Sequence, residues 1–417
     1  MDMKRIVILI SALTLLASCV NDNVPQEFVR GVNPEKLGVS KEGIANLDAT
    51  LESFINDSRV SCATAFVAKG GNVIYEKSFG VKDLETQVPA ETDDIYVLFS
   101  QTKAVVAVAF MTLYEQGLVR LDDPIDKYIP GFSDTVAKEY DEVSGEWDMV
   151  KAGRPAQVGD FLCHTSGYLG PNTNRYLSTL SERPQADRST VGNVVETNKS
   201  LPLGFEPGTE WNYNFDMDVI AYLVEILSGK TLQEYLKEVL FEPLGMDFTA
   251  YYYDDKSLSS RIVRTYGVVD GEFVGRGFFG GSIFEGPKTY AGGTFGLYGP
   301  IQDYAKFCQM LLNKGEFNNH RILRPETIDL MLKNRLPEVN KGGKGFQFGL
   351  GFELFGNPDQ KKVPQMSDSC FRWGGAAGTE YLVDPENDLV ILYYISIMGY
   401  DTKTYPAYLD AVYKLFE

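Results

Sequence analysis

The hydrophobic pattern of the chain predicts strands near both of its ends. After a helical repeat of apolar residues at 41–57, two β-rich runs, Val60–Ala68 and Val73–Phe79, surround a Lys-Gly-Gly-Asn turn. Near the C-terminus, Glu380–Val383 and Leu389–Ile395 flank a second turn sequence. Strands at the two ends with helices between them predict an α+β fold, with one antiparallel sheet built from the N- and C-terminal strands.

Helical spacing dominates the rest of the chain. An apolar helix is predicted from Ser100 to about Gln116, where Gly117 ends it. Thr231 and Glu234 form the sequence pattern of a capping box at the start of another helix. The segment Val136–Pro155 is charged and predicts a hairpin or a lid. The remaining predicted helices are Asp218–Ser228, Ile301–Lys314, Pro325–Lys333 and about Tyr405–Phe416.

Composition restricts the classes of partner. The chain has 417 residues, 44% of them hydrophobic, so it is long enough to bury a large core. Its formal charge of −18 argues against nucleic acid, whose phosphates require basic surfaces. With only two histidines and no C-x-x-C, a zinc site is not expected and no cofactor is implied. We expect the scattered cysteines to be buried unpaired thiols: Cys62, Cys163, Cys308 and Cys370.

The N-terminus has the pattern of an export signal. Lys4 and Arg5 precede a short apolar run, which ends in Leu-Ala-Ser-Cys with Cys19 as its last residue. This is the pattern of a bacterial lipobox, so we expect residues 1–18 to be a lipoprotein signal peptide and Cys19 to carry the lipid. An ordinary signal peptide is the alternative. Residues 19–40 are polar and predict a tether, and residues 41–417 predict one domain. The protein is expected in the bacterial cell envelope, anchored to a membrane.

The candidate nucleophile is Ser100, with Lys103 one helical turn after it. Residues three apart share one face of a helix, so the lysine can reach the serine hydroxyl. Serine needs a neighbouring base, and burial can lower the pKa of a lysine enough to serve as one. This is the only S-x-x-K in the chain, and it opens a helix that is apolar on every face. A lysine near the start of a helix that should be buried on every face indicates a functional role for Lys103.

Several segments, in order, resemble the superfamily of serine β-lactamases and penicillin-binding proteins. S-x-x-K is its first motif. The others are closest to class C β-lactamases and their esterase relatives, the family VIII carboxylesterases. The resemblance covers about residues 40–400 and implies the β-lactamase/transpeptidase-like fold, with a mainly helical region inserted at about 117–290. Its segments are Gly117–Pro124, Val158–Tyr168 with H-T-S-G, Pro207–Tyr213, Pro243–Met246 and Gly292–Phe307.

The resemblance implies roles for the second and third motifs. Tyr213 is the tyrosine of Y-x-N and shares the proton of Ser100 with Lys103. Phe215 stands where β-lactamases have the asparagine, as in the esterase branch, and is expected to contact substrate. The K-T-G position is filled by Trp373, Gly374 and Gly375, which we expect to bind substrate. The backbone N–H groups of Ser100 and Ala376 are implied as the oxyanion hole.

The sequence therefore predicts a serine hydrolase that forms an acyl-enzyme on Ser100, with small acyl esters as preferred substrates. Tryptophan at position 373 offers no charge to pair with a substrate carboxylate, which disfavours β-lactams. A β-lactamase, a D-amino-acid peptidase and an acyltransferase acting on cell-wall-like substrates remain alternatives. An alternative of another class is a non-catalytic, ligand-binding envelope lipoprotein, since fold alone does not imply activity.

Overall fold

The computed structural model of the protein describes residues 24–168, 175–180, 187–276, 283–336 and 345–417. The strands are β1 (Cys62–Lys69), β2 (Asn72–Asp83), β3 (Val88–Pro89), β4 (Tyr96–Val97), β5 (Thr135–Asp141), β6 (Glu146–Lys151), β7 (Tyr266–Val269), β8 (Glu272–Gly275), β9 (Tyr298–Gly299), β10 (Glu316–Phe317), β11 (His320–Arg321), β12 (Gln347–Phe348), β13 (Glu353–Leu354), β14 (Phe371–Gly374), β15 (Thr379–Asp384), β16 (Leu389–Tyr394) and β17 (Ile397–Met398). The α-helices are α1 (Lys41–Asn56), α2 (Thr102–Glu115), α3 (Val158–Leu162), α4 (Arg175–Thr179), α5 (Val191–Asn198), α6 (Asp216–Ser228), α7 (Leu232–Leu236), α8 (Glu242–Leu244), α9 (Ile301–Leu312), α10 (Pro325–Met331) and α11 (Thr404–Tyr413).

The central layer is an eight-stranded antiparallel sheet in the order β12-β13-β14-β15-β16-β1-β2-β3. The N- and C-terminal strands meet in its middle, where Thr64 of β1 lies opposite Tyr394 of β16. This confirms the predicted α+β fold with a sheet made from both ends of the chain. The chain between β3 and β12 is mostly helical, and its short strands form small additional sheets. Two of its helices, α2 and α9, pack on the central sheet.

The two faces of the sheet are both covered, because consecutive residues of a strand point to opposite faces. Val383 and Leu392 belong to the core on the side of α2 and α9. Their chain neighbours Leu382 and Ile391 belong to the core on the side of α1 and α11. Strands buried on both faces are apolar throughout, as β16 is.

Helix α2 lies within the first of these cores, as its apolar sequence predicts. All of its residues from Thr102 to Met111 are buried, including Lys103. The α-helix begins at Thr102, and Ser100 lies in the single 3₁₀ turn Phe99–Gln101 that leads into it. The predicted capping box at Thr231 is present, but α7 is short and continues as a π-helical turn, Lys237–Phe241. The four cysteines among the described residues are free and buried, as expected.

Residues predicted as a free tether pack against the domain in the part that is described. Val29 exchanges backbone hydrogen bonds of 3.0 and 2.9 Å with Gly71 and Val73. The ring of Phe28 lies 5.1 Å from that of Phe66. The polar composition of residues 19–40 could not predict these contacts, since they are made largely by the backbone. Cys19 and residues 1–18 lie outside the described residues. Within the described ranges, no helix combines the length and apolar content that crossing a membrane requires.

The segment 136–155 forms a hairpin of β5 and β6. Trp147 donates its indole N–H to Thr179 Oγ1 at 2.9 Å, so the hairpin packs against α4. It contributes no residue to the lining of the cavity beside Ser100. The predicted hairpin is therefore present, and its packing gives no support to the alternative of a lid. A second hairpin, β7–β8, which the sequence analysis missed, extends β17.

Candidate active site

Ser100 is held at the junction of β4 and α2. The Leu98 N–H donates to the Leu297 carbonyl at 2.9 Å, and Thr379 Oγ1 donates to the Leu98 carbonyl at 3.2 Å. Phe99, directly before the serine, has φ = 46°. A bulky residue in this left-handed region is strained, and such strain concentrates at functional sites where packing enforces it. The turn that presents Ser100 is therefore fixed by contacts from two other parts of the chain.

The three predicted catalytic side chains meet at one atom. Ser100 Oγ accepts hydrogen bonds from Lys103 Nζ at 3.2 Å and from the Tyr213 hydroxyl at 2.7 Å. Lys103 Nζ also lies 4.5 Å from the centre of the Tyr213 ring. Tyr213 is 113 residues from Ser100 in the chain, so the fold brings them together. These distances allow the serine proton to pass to either neighbour when that neighbour is in its basic form.

The ammonium group of Lys103 is almost fully buried, with an exposed fraction of 1%. Its third contact is the carbonyl oxygen of Thr294, at 2.8 Å. The Thr294 N–H in turn donates to Asp218 Oδ1 at 2.8 Å. Burial raises the pKa of the Asp218 carboxyl, and the charge of Lys103 opposes that shift. Asp218 thus fixes the peptide that holds the lysine, without contacting the lysine itself.

Thr294 and Asp218 are site residues that the sequence analysis missed. The sequence feature that could have indicated these site residues is the pair Gly292-Gly293, directly before Thr294. A Cβ atom at Gly293 would lie 1.8 Å from the Met217 carbonyl oxygen, so only glycine lets this segment pass against α6. This chain has no asparagine at the third position of Y-x-N, and Lys103 donates a hydrogen bond to the Thr294 carbonyl.

Phe215 does not line the cavity beside Ser100. It is the residue directly before α6, and its ring packs 6.4 Å from that of Phe295. Its side chain is only partly buried against the core. The predicted contact of Phe215 with substrate stays a prediction.

A cavity of about 350 Å³ opens at Ser100. Its other lining residues are Trp211, Tyr213, Phe346, Glu353, Arg372, Trp373, Gly374, Gly375, Ala376 and Glu380. The three residues of the third motif and the following Ala376 are therefore all in its wall. The Trp373 ring lies 5.2 Å from those of Tyr213 and Phe348. Among the described residues, the indole N–H groups of Trp211 and Trp373 have no hydrogen-bond acceptor.

The two glycines of the third motif are required by protein contacts. A Cβ atom at Gly374 would lie 2.1 Å from Glu380 Oε2, and one at Gly375 would lie 2.1 Å from Thr379 Oγ1. Ala376 follows them and is exposed at the cavity. Within the described part of the chain, no backbone carbonyl accepts from its N–H. The N–H is therefore available, and the oxyanion hole of Ser100 and Ala376 remains a prediction.

His164 lies behind Tyr213, with the ring centres 5.0 Å apart, and makes no contact with Ser100. Its carbonyl accepts from the Asn212 N–H at 2.9 Å, and its Nδ1 lies 3.3 Å from Asp216 Oδ2. Burial, assisted by the charge of Lys103, lowers the pKa of His164 to about 3. Burial also raises the pKa of Asp216 well above its ordinary value. His164 is therefore neutral near pH 7, and its contacts support the Tyr213 loop.

Replacing His164 with asparagine is expected to reduce the loss of stability in acid. An unfolded histidine takes up a proton below about pH 6.5, whereas buried His164 does so only near pH 3. The stability that depends on this group is therefore complete above pH 6.5 and lost as the pH falls toward 3, by at most about 1.4 kcal/mol per pH unit. Asparagine suits the backbone, because residue 164 has φ = 59°.

Urea unfolding of both proteins at pH 7, 6, 5 and 4 provides the measurement. Relative to the original protein, His164→Asn should gain about 2–3 kcal/mol between pH 7 and pH 4. A difference in unfolding free energy that stays constant over this range would show that His164 titrates normally.

The comparisons with known proteins agree with this geometry. Residues 47–413 match the model of the Beta-lactamase family, and the chain belongs to that family. It is 26% identical to Esterase EstB of Burkholderia gladioli over 398 residues, which cover 88% of this chain and 95% of that protein. The protein is a serine hydrolase of the β-lactamase fold.

Two solved structures share the fold. EstCE1, described as a hydrolase with promiscuous acyltransferase activity, is similar with a TM-score of 0.75 at 22% identity, over 89% of this chain and 99% of that chain. The octameric penicillin-binding protein homologue from Pyrococcus abyssi is similar with a TM-score of 0.66 at 21% identity. That match covers 89% of this chain and 77% of the homologue.

Proposed function

We propose that the protein hydrolyses small acyl esters through an acyl-enzyme on Ser100. The observation that carries this proposal is the position of Ser100 Oγ, within hydrogen-bond distance of both Lys103 Nζ and the Tyr213 hydroxyl. The site opens into a cavity with aromatic walls. A hydroxyl with two proton-transfer partners beside an open cavity is the arrangement that acyl transfer requires.

The reaction proceeds in two stages. Ser100 Oγ bonds to the ester carbonyl carbon while its proton passes to Tyr213 or Lys103, and the C–O bond to the alcohol then breaks as that proton moves to the leaving oxygen. Water next attacks the acyl-enzyme, gives a proton to the same pair and releases the acid with Ser100 restored. The free N–H of Ala376, together with that of Ser100, is suited to stabilise the negative carbonyl oxygen in both stages.

The walls of the cavity support ester substrates over β-lactams. Trp373 stands where β-lactamases have a lysine, and its indole carries no charge for a carboxylate. EstB, to which this chain is similar, is named an esterase. A D-amino-acid peptidase is the second candidate, since the same serine, lysine and tyrosine can also open an amide bond through an acyl-enzyme. Acyl transfer to an acceptor other than water uses the same acyl-enzyme, and EstCE1 is described as having acyltransferase activity.

A rate comparison on two chromogenic substrates tests the preference. The domain without residues 1–19 is expected to turn over a short-chain nitrophenyl ester with a kcat/KM about 100-fold or more above that for a chromogenic cephalosporin. The reason is that the described residues of the cavity wall offer no unpaired cation to the cephalosporin carboxylate. Prior treatment with a serine-reactive fluorophosphonate should abolish both rates. A higher kcat/KM for the cephalosporin would contradict the esterase proposal and favour a β-lactamase or peptidase.

We also propose that Cys19 anchors the protein to a membrane of the bacterial envelope. The support is the sequence Leu-Ala-Ser-Cys after a short apolar run. In cells grown with an alkyne fatty acid, the full-length protein should become labelled, and Cys19→Ser should not. Labelling of both proteins or of neither would contradict the anchor.

A further inference from the structure

Three charged side chains lie in the wall of the active-site cavity: Glu353, Arg372 and Glu380. Arg372 forms ion pairs with both glutamates, one through each terminal nitrogen. The exposed fractions of these side chains are only 12% for Arg372, 8% for Glu353 and 7% for Glu380. Charges with so little water around them act on a bound molecule with weak screening.

The strand register places this cluster beside the third motif. Arg372 of β14 lies directly opposite Glu353 of β13, and Gly374 lies opposite Glu380 of β15. Because alternate residues share a face, Arg372, Gly374 and Glu380 point to the same side of the sheet. The missing side chain at Gly374 leaves the space that the Glu380 carboxylate fills. Tyr400 holds the other carboxylate oxygen with a hydrogen bond of 3.0 Å.

The charge of this cluster does not favour anions. Two carboxylates face one guanidinium, and among the described residues of the cavity wall no other carries a formal charge. Lys362 Nζ lies 3.8 Å from Glu353 Oε1, but Lys362 is not part of the wall. Both terminal nitrogens of Arg372 are already paired with protein carboxylates. In the described part of the wall, a substrate carboxylate would therefore meet like charge and no unpaired cation, which costs binding energy in a poorly hydrated site.

We propose that Glu380 and Glu353 make the cavity select uncharged or cationic esters against esters that carry a carboxylate. This specificity rests on the proposed esterase function and adds a substrate class to it. Glu380 determines specificity through its charge and takes no part in the proton transfers at Ser100.

Three matched substrates test the proposal: the 4-nitrophenyl esters of monomethyl adipate, adipate and 6-aminohexanoate, which are neutral, anionic and cationic. The neutral and cationic esters are expected to have kcat/KM values about tenfold or more above that of the anionic ester. In Glu380→Gln, the ratio of neutral to anionic kcat/KM should fall by about fivefold, because one negative charge is removed. Raising the ionic strength from 20 to 500 mM should change the ratio of neutral to anionic kcat/KM only slightly in the original protein, because salt screens poorly exposed charges weakly.

Glu316→Gln is the matched control. Glu316 is also a buried glutamate paired with an arginine, Arg321, but it does not line the cavity. Glu316→Gln should leave the ratio of neutral to anionic kcat/KM unchanged. If Glu380→Gln fails to fold, Glu353→Gln tests the same charge from the neighbouring strand.

The outcomes separate this proposal from the esterase proposal. Equal kcat/KM values for the three esters, or faster turnover of the anionic one, would overturn the charge selectivity and leave the esterase function standing. If no ester is turned over, the charge selectivity is tested by calorimetric binding of 3-carboxy-, 3-hydroxymethyl- and 3-aminomethyl-phenylboronic acid to Ser100. Weakest binding of the 3-carboxy compound would support the charge selectivity without the esterase function. Binding of that compound as strong as, or stronger than, the binding of the other two would overturn the charge selectivity together with the esterase function.

Discussion

Replacing Ser100 with alanine is expected to lower kcat/KM for a short nitrophenyl ester by about 10⁴-fold or more, while the fold is retained. The hydroxyl is the only group at the meeting point of Lys103 and Tyr213, so the acyl-enzyme cannot form without it. Lys103 keeps its contact with the Thr294 carbonyl. Catalytic residues are selected for activity more than for stability, so the free energy of unfolding should change by less than about 1 kcal/mol.

Steady-state rates and urea unfolding of the two purified proteins provide the measurement. Ser166→Ala is a useful control, because Ser166 donates to buried Asp216 and does not line the cavity. It should lower stability by about 1–3 kcal/mol and leave the folded protein active. Ester turnover that survives Ser100→Ala would rule out Ser100 as the nucleophile.

Replacing Lys103 with methionine is expected to reduce kcat by about 10³- to 10⁴-fold with little loss of stability. Methionine has a similar length and no basic nitrogen, so Ser100 keeps only Tyr213 as a proton partner. Two effects on stability oppose each other. The Thr294 carbonyl loses its donor, but a buried ammonium without an ion pair is removed. We expect the free energy of unfolding to change by less than about 2 kcal/mol.

Lys82 offers the matched control. It is also largely buried, and its Nζ lies 2.5 Å from the carboxylate of buried Asp94. Lys82→Met should therefore cost about 3–5 kcal/mol of stability, since Asp94 loses its partner, with kcat of the folded protein unchanged. The same assays apply to both variants. Loss of stability without loss of kcat in Lys103→Met would show that Lys103 is only structural.

The parts of the fold that the sequence predicted are those with local signals. The apolar run after Ser100 predicts a buried helix, and the strands near the two ends follow from β-rich runs beside turn sequences. Tyr213 and Trp373 were found through family resemblance, and the structure places both beside Ser100. The short strand β13 has only two residues, which is too few for a periodic pattern.

The unpredicted site features depend on contacts between distant segments. Arg372 and Glu353 are 19 residues apart, and their pairing follows from sheet register. Lys103 contacts a backbone carbonyl 191 residues away, and a backbone atom carries no residue-type signal. Phe215 was assigned by its position in a family motif, and the structure places it outside the wall of the cavity beside Ser100.

The central claim is that Ser100 carries the acyl group, and mass spectrometry of the trapped intermediate tests it most directly. The soluble domain is mixed with a short-chain nitrophenyl ester, quenched in acid during the first turnovers, weighed intact and then digested. We predict a mass increase of one acyl group, located on Ser100 and absent from Ser100→Ala. An acyl group on any other residue, or ester turnover without any acylated protein, would contradict the mechanism.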